Sequence, residues 1–334
     1  MSTGDERTLV ADVGGTSSRF ALAHAQGGHA RLERISAIHN DTVPDLETAV
    51  AKYLGEAGAR PRAATFAIAG PIDGEDIALT NRAWRFRVSE FGKKFGFASF
   101  RVINDFEAVA WALTLLGPGD TRRLGTEPSL AGAHGDTAKA APKVAPKVAL
   151  GPGTGLGVAA LIPVAGRWQV LASEGGHASF GPQAPDEFAL FARLHEECAQ
   201  LSAEMVLSGH GLVRLARALD KSTAYAEPEA ILKAALAGEP KARAAATMFI
   251  RLLARFAGGV ALTFKALGGV YIAGGVSHGL APLIDEAQFR AAFEAHPPHA
   301  VLLKAIPTLL VTYPEPGLLG CAAASENMRE PHPP

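Results

Sequence analysis

Cysteine is nearly missing from this chain: Cys198 and Cys321 are all that 334 residues contain. One pair cannot make a disulfide framework, no CxxC occurs, and isolated thiols do not build a thiolate zinc site. That usage predicts a reducing cytoplasm. An excess of either charge is missing too, since 32 Lys and Arg face 33 Asp and Glu for a net charge of −1. Nothing in that balance asks for nucleic acid or an anionic membrane as a partner. Met1 to Thr8 lacks the apolar core of a signal segment, and no later run reads as long enough to span a membrane. Several signatures are absent. No GxxxxGKS/T occurs, no GxGxxG follows the first strand, and neither GxSxG nor HExxH nor a protein-kinase catalytic loop is found. What the chain does have is core material, 48% hydrophobic against 19% charged residues, at a length that suggests two domains.

The first informative stretch is Leu9-Val10-Ala11-Asp12-Val13-Gly14-Gly15-Thr16-Ser17-Ser18-Arg19-Phe20-Ala21-Leu22. An apolar strand runs into an acid, a Gly/Thr tip and a second apolar strand, which predicts a tight β-hairpin. Glycines at the tip leave backbone N–H groups open to a ligand, and a concave turn of that kind suits phosphate. A carboxylate beside it suits the hydrated Mg²⁺ that accompanies phosphates. Alone, the stretch reads equally well as a plain hairpin with an Asp in its turn. The design recurs at Val148-Ala149-Leu150-Gly151-Pro152-Gly153-Thr154-Gly155-Leu156-Gly157 and the apolar residues that follow. Two such tips, one at the start of each expected domain, would grip a polyphosphate from both sides. The recurrence favours the phosphate reading.

Between them, strands alternate with helices, the pattern of an α/β layer architecture over roughly residues 1–115. A helix is expected from Leu46, ended by Gly55 and Gly58. Short strands are expected at Ala63–Ala69, Ile77–Thr80 and Phe100–Ile103, with Ser89 capping a helix to Phe95. A strongly apolar helix should run from Phe106 to Leu116. Residues 120–148 are rich in Ala, Gly, Lys and Pro, and their middle reads as an exposed loop. The second half is mainly helical, with breaks expected at Gly209-His210-Gly211 and at Gly258-Gly259 inside the long pattern Lys241–Ala266. A strand then ends in Gly274-Gly275, which would leave room for a flat ring or ribose against the backbone or would be a plain turn.

Three groups of residues could carry chemistry. Asn104-Asp105 stands where a strand gives way to a helix, the edge at which open α/β sheets bind ligands. Asp105 there could take a proton from a substrate hydroxyl, or could merely cap the helix. Glu174-Gly175-Gly176-His177 suits a ligand with several hydroxyls, though a surface turn reads nearly as well; one Glu and one His are too few for a metal. Glu204, early in a helix, is favoured by the helix dipole whatever else it does.

Taken together and in order, these motifs resemble the bacterial glucokinases of the hexokinase–actin–Hsp70 ATPase superfamily. The resemblance runs from about Leu9 to Gly320 and includes Ser202-Ala203-Glu204, Ala273-Gly274-Gly275 and Pro316-Gly317-Leu318-Leu319-Gly320. It implies a two-domain ribonuclease H-like/actin-like ATPase fold of the α/β class with a cleft between domains. The small domain would take residues 1–115 with 313–334 and the large one 116–312. It implies ATP-dependent phosphorylation of D-glucose to glucose 6-phosphate, the first step of glycolysis, in a cytoplasmic homodimer. Asp105 would be the catalytic base, and Asn104, Asp105, Glu174, His177 and Glu204 would hold the sugar. The segments matching Ala11, Asp12, Val13, Gly14, Gly15 and Thr16, and Gly153, Thr154 and Gly155, would hold the phosphates, with Gly274 and Gly275 by the adenosine. Asp12 would serve Mg²⁺ through water. The chain departs from its relatives at Ser17, where Asn is common, and in a longer loop around 133–147. A kinase for another hexose, or a sugar-sensing regulator without catalysis, are the alternatives. A lost base or a fused DNA-binding domain would favour the regulator, and neither is seen in the sequence.

Overall fold

A computed structural model describes residues 5–26, 29–70, 72–79, 82–126 and 144–329 of the chain. The expected loop at 133–147 therefore lies outside the described residues as far as 143. Two compact units form. One takes the residues up to Gly117 and those from Tyr313 onward, and the other spans Pro118–Thr312.

In the first unit β1 (Asp5–Val13), β2 (Ser17–Gln26) and β3 (His29–His39) form an antiparallel meander, and β4 (Pro61–Ile68) lies parallel to β1. β5 (Asp76–Ala78) and β6 (Arg85–Arg87) make a separate ribbon, and β7 (Ser99–Asn104) joins β4 in parallel. The five-stranded order is β3-β2-β1-β4-β7. Leu9, Val10, Ala11 and Val13 are fully buried, because β1 is central and covered on both faces; hence its continuous apolar run in place of alternation. The helix Leu46–Ala57 starts on Asp45, whose carboxylate accepts the Thr48 N–H at 2.7 Å, and ends on Gly58 in the left-handed region. Gly55, expected to help end it, lies inside.

The helix Pro316–Arg329 brings the far end of the chain back onto β1, β2 and β4 and against the helix Asp105–Ala112. The two helices cross at Gly320, where a Cβ would overlap the carbonyl oxygen of Ala108. Gly320→Ala is therefore expected to cost about 1–3 kcal/mol of stability through backbone displacement, read from urea unfolding of the purified protein. An unchanged midpoint would show that this crossing is loose.

The second unit repeats the plan. β8 (Thr121–Arg123) is an edge strand; β9 (Lys147–Pro152), β10 (Leu156–Val164) and β11 (Arg167–Ser173) form the meander; β12 (Val270–Ile272) and β13 (Thr308–Val311) add in parallel. The six-stranded order is β11-β10-β9-β12-β13-β8. Both units thus share a three-strand meander extended by two parallel strands, to which the second adds β8 antiparallel at its edge, so the hairpin recurrence seen in the sequence reflects a recurrence of topology.

Several local expectations are corrected. Ser89 does not cap the helix Val88–Phe95; its N–H donates to Glu75 Oε2 at 3.0 Å. The helix from Asp105 ends at Ala112 and turns follow it. Gly209-His210-Gly211 is no break but the first turn of the helix Gly209–Leu219, capped by Ser208. The helix Pro240–Phe264 runs unbroken through Gly258, where a Cβ would overlap the carbonyl oxygen of Phe293 on the crossing helix Glu286–Glu294. By length and composition Pro240–Phe264 could cross a membrane, contrary to expectation, yet most of its apolar side is buried in the core of this unit.

Candidate active site

In the first unit the carboxyl ends of the parallel strands β1, β4 and β7 lie at one edge of the sheet, where α/β sheets bind ligands. The Gly14–Thr16 turn and Asp12 stand at the end of β1, and Asn104 and Asp105 at the end of β7. Asn104 is the helix cap: its Oδ1 accepts the N–H groups of Phe106 at 2.9 Å and Glu107 at 3.2 Å, and its Nδ2 donates to the Gly70 carbonyl at 3.0 Å. The cap is thus the residue before Asp105, and the Asn104 amide also hydrogen-bonds the Asp105 carboxylate, which opposes the rise of its pKa. Asp105 becomes the first helical residue, with Oδ1 accepting the Phe106 N–H at 2.9 Å. Its pKa is pushed up to about 6, first by burial and then by the negative charge of Asp12.

Asp12 is itself raised to about 6 by burial. Arg19, opposite it across the β1–β2 register, opposes that rise, while Glu315 adds to it. Arg19 and Glu315 pair at 3.4 Å. The start of the helix Pro316–Arg329 is packed on Asp12: a Cβ on Gly317 would come within 2.7 Å of Asp12 Oδ2, closer than any side chain tolerates. Ala11 and Val13, expected among the nucleotide-binding residues, are not brought to the surface. Both are fully buried between β2 and β4, and their part is to carry the turn.

In the second unit the β9–β10 turn is tied down at both ends. Gly153 N–H donates to the Gly155 carbonyl at 2.8 Å, and the Gly153 carbonyl accepts the Gly209 N–H at 2.8 Å. Gly274, at φ 90°, lies so close that a Cβ there would overlap the Pro152 carbonyl oxygen, which brings Gly153–Gly155 and Gly274–Gly275 together. Glu204 stands in the short helix Ala203–Val206, capped by Ser202. Its Oε2 accepts the Leu156 N–H at 2.9 Å, and Gly155 leaves room for it. Its Oε1 lies 3.9 Å from His177 Nε2, which is 3.8 Å from Glu174 Oε2. Glu174, His177 and Glu204 therefore form one cluster, and Glu204 joins it to the Gly/Thr turn. Two carboxylates around an imidazole, partly open to solvent, offer several acceptors and a switchable donor, the complement of a polyhydroxyl compound.

A family model for glucokinase matches residues 9–328 of the chain. The chain belongs to the glucokinase family. A glucokinase of Mesorhizobium japonicum is 36% identical over 327 residues, covering 96% of this chain and 91% of its own. The crystal structure of a glucokinase from an Antarctic psychrotroph superposes with a TM-score of 0.84 at 31% identity, covering 96% of this chain and 98% of that one. The glucokinase of Balamuthia mandrillaris, solved in complex with glucose, shares the fold with a TM-score of 0.78 at 24% identity, covering 98% and 95%. The fold is therefore the two-domain actin-like ATPase fold of this family.

Among the described residues no group of three or more His, Cys, Asp and Glu gathers as a metal site. That donor set still fits Mg²⁺ as family members would use it, because Mg²⁺ keeps most of its waters and takes one or two carboxylates plus phosphate oxygens. Asp12, a partly buried hard-oxygen donor beside the Gly14–Thr16 turn, suits that use.

Two residues that the sequence reading passed over stand out. Asn40 is fully buried, accepts the Ser18 hydroxyl at 2.8 Å, and donates to the carbonyls of Gly14 at 2.8 Å and Gly15 at 3.2 Å. Arg82 donates to the same Gly15 carbonyl at 3.2 Å. In sequence, His39-Asn40-Asp41-Thr42 has only the look of a turn, and nothing local ties it to residues 14–18.

Proposed function

We propose that this chain transfers the γ-phosphoryl group of ATP to the 6-hydroxyl of D-glucose, opening glycolysis, with Asp105 as the general base. The observation that carries the assignment of the base is the carboxylate of Asp105, set at the strand edge by the Asn104 cap and raised to about 6. A carboxylate in that range is still mostly ionised at neutral pH, yet basic enough to take a hydroxyl proton as the phosphoryl group arrives. Phosphoryl transfer asks mainly for positioning and for neutralisation of charge. In the Gly14–Thr16 and Gly153–Gly155 turns the N–H groups of Gly14 and Gly153 are spent within the turns, on Ser17 and Gly155, so those of Gly15, Thr16, Thr154 and Gly155 would grip the phosphates, and the open space at Gly275 would take part of the nucleoside. Mg²⁺, held by Asp12 through water, would neutralise phosphate charge. Glu174, His177, Glu204 and the Asn104 side chain beside Asp105 would take the sugar hydroxyls and so select glucose. A homodimer in the cytoplasm belongs to the same proposal; the thiols of Cys198 and Cys321 are free, as a reducing compartment would keep them.

A coupled ADP-release assay across glucose, mannose, fructose and N-acetylglucosamine tests the reading. With ATP as donor, kcat/KM for glucose should exceed that for each other sugar by about tenfold or more, and polyphosphate should not replace ATP. A sugar other than glucose at the top of the panel would reassign the substrate. Sugar binding without ADP release would sink the enzymatic reading in favour of a sensor.

A further inference from the structure

The Gly14–Gly15–Thr16 turn is held from behind by side chains that no ligand needs to touch. Asn40 spends its amide on it: Nδ2 donates to the Gly14 and Gly15 carbonyls, while Oδ1 is fixed by the Ser18 hydroxyl. Its own backbone N–H donates to the Thr16 carbonyl at 2.9 Å, so three successive carbonyls of the turn are bound to one residue. Arg82 adds a charged donor to the Gly15 carbonyl. Arg82 is in turn held by an ion pair with Asp41 and by the ring of Trp84, with its guanidinium 5.0 Å from the ring centroid. Asn40 and Asp41 are neighbours, so the two clamps share one short turn.

The consequence follows from the planarity of the peptide group. In a trans peptide the C=O of one residue and the N–H of the next point in opposite directions. Fixing the Gly14 carbonyl on Asn40 therefore aims the Gly15 N–H away from Asn40. Fixing the Gly15 carbonyl on Asn40 and Arg82 does the same for the Thr16 N–H. Two glycines in a row have the widest choice of backbone conformation of any dipeptide, and a flipped peptide would present a carbonyl oxygen to an anion where an N–H is needed. Such a turn binds phosphate well only if the flip is prevented in advance. We infer that Asn40 and Arg82 are positioning residues that lock the Gly14–Gly15 and Gly15–Thr16 peptides with their N–H groups presented to a triphosphate. The inference rests on the proposed function for the identity of the anion.

Calorimetric titration separates this role from a merely structural one. Mg·ATP and glucose are titrated separately into the full-length parent, Asn40→Asp and Arg82→Ala. Asn40→Asp keeps size and the acceptor for Ser18 but replaces the donor to both carbonyls with a repelling oxygen. The Mg·ATP dissociation constant is expected to rise about tenfold in Asn40→Asp and about threefold or more in Arg82→Ala, with that for glucose within about twofold of the parent. Circular dichroism identifies the folded variants, and Arg82, a partly exposed side chain, carries the test if Asn40→Asp does not fold. An unmoved Mg·ATP constant in the folded variants overturns the inference, and so does a parallel rise for both ligands, which would mean general loosening. Both readouts are of binding, so they stand apart from whether the parent phosphorylates glucose.

Discussion

Asp105→Asn is expected to lower kcat for glucose phosphorylation by about 10²–10⁴-fold, the usual worth of a positioned base, with the glucose dissociation constant changed by no more than a few fold. The amide keeps the size of the carboxylate and an oxygen for the Phe106 N–H, so Asn104 still caps the helix. What it loses is the ability to accept a proton. In the parent, kcat should rise between about pH 5 and 7 and level off above, because burial and the Asp12 charge hold the Asp105 pKa near about 6 and only the ionised form can act. Stability should move the other way. The unfolded carboxyl ionises near about 4 and the folded one near about 6, so between those values the folded state binds more protons. The parent therefore loses stability as pH rises through that window and stays lower above it. The asparagine variant carries no charge to bury, and its Tm should exceed that of the parent at neutral pH, with the difference shrinking below about pH 4. A near-normal kcat in Asp105→Asn would remove this residue from the chemistry. A kcat that is flat across the window would remove the raised pKa from the mechanism.

The second large effect is expected at Glu204. Glu204→Ala should lower kcat/KM for glucose by about 10²–10³-fold, since it removes a charged acceptor from the hydroxyl cluster and leaves the Leu156 N–H without its partner. The loss should not be confined to the sugar. The Leu156 N–H is the first on β10 after the Gly153–Gly155 turn, so KM for ATP should rise as well. Glu204→Gln can keep the bond to Leu156 and should retain ATP affinity while still losing sugar selectivity. Equal effects of both variants on ATP would show that the link between the cluster and the turn is not functional. Glu174, two-thirds exposed and tied only to His177, should be the milder of the two acids when replaced.

What could be read from the sequence was whatever is local. The two hairpins are legible because a strand, a Gly/Thr tip and a strand lie within fourteen residues, and Asn104-Asp105 because a strand end and a cap are adjacent. Glu204 alone said little, since its value lies in a bond to Leu156 and a neighbour at His177, both distant in the chain. Asn40 was missed for the same reason: its side chain answers carbonyls 25 and 26 residues away. Glycine misled in both directions. Gly209, Gly211, Gly258 and Gly259 read as helix breaks from intrinsic preference, but the first two lie in the opening turn of a helix and the last two inside one. At Gly258 the missing side chain serves a close crossing with Phe293, which no local pattern announces. The short strands β6 and β8 escape because three residues carry too little periodicity to register, while β5 overlaps the strand expected at Ile77–Thr80.

The helix Pro316–Arg329, which completes the first unit from the far end of the chain, sets an order of events during synthesis. Pro118–Thr312 is a contiguous stretch and can fold as it leaves the ribosome. The first unit cannot: β1, β2 and β4 must wait for the helix that covers them, and Asp12 for the neighbour at Gly317. From the end of β4 to the end of that helix is about 260 residues, so at about 5–20 residues per second the wait is roughly 13–50 s. For that interval an apolar sheet face stands uncovered, a binding surface for chaperones on the nascent chain. A product cut short before Pro316 would keep every proposed sugar and phosphate residue and still lack the packing that holds Asp12.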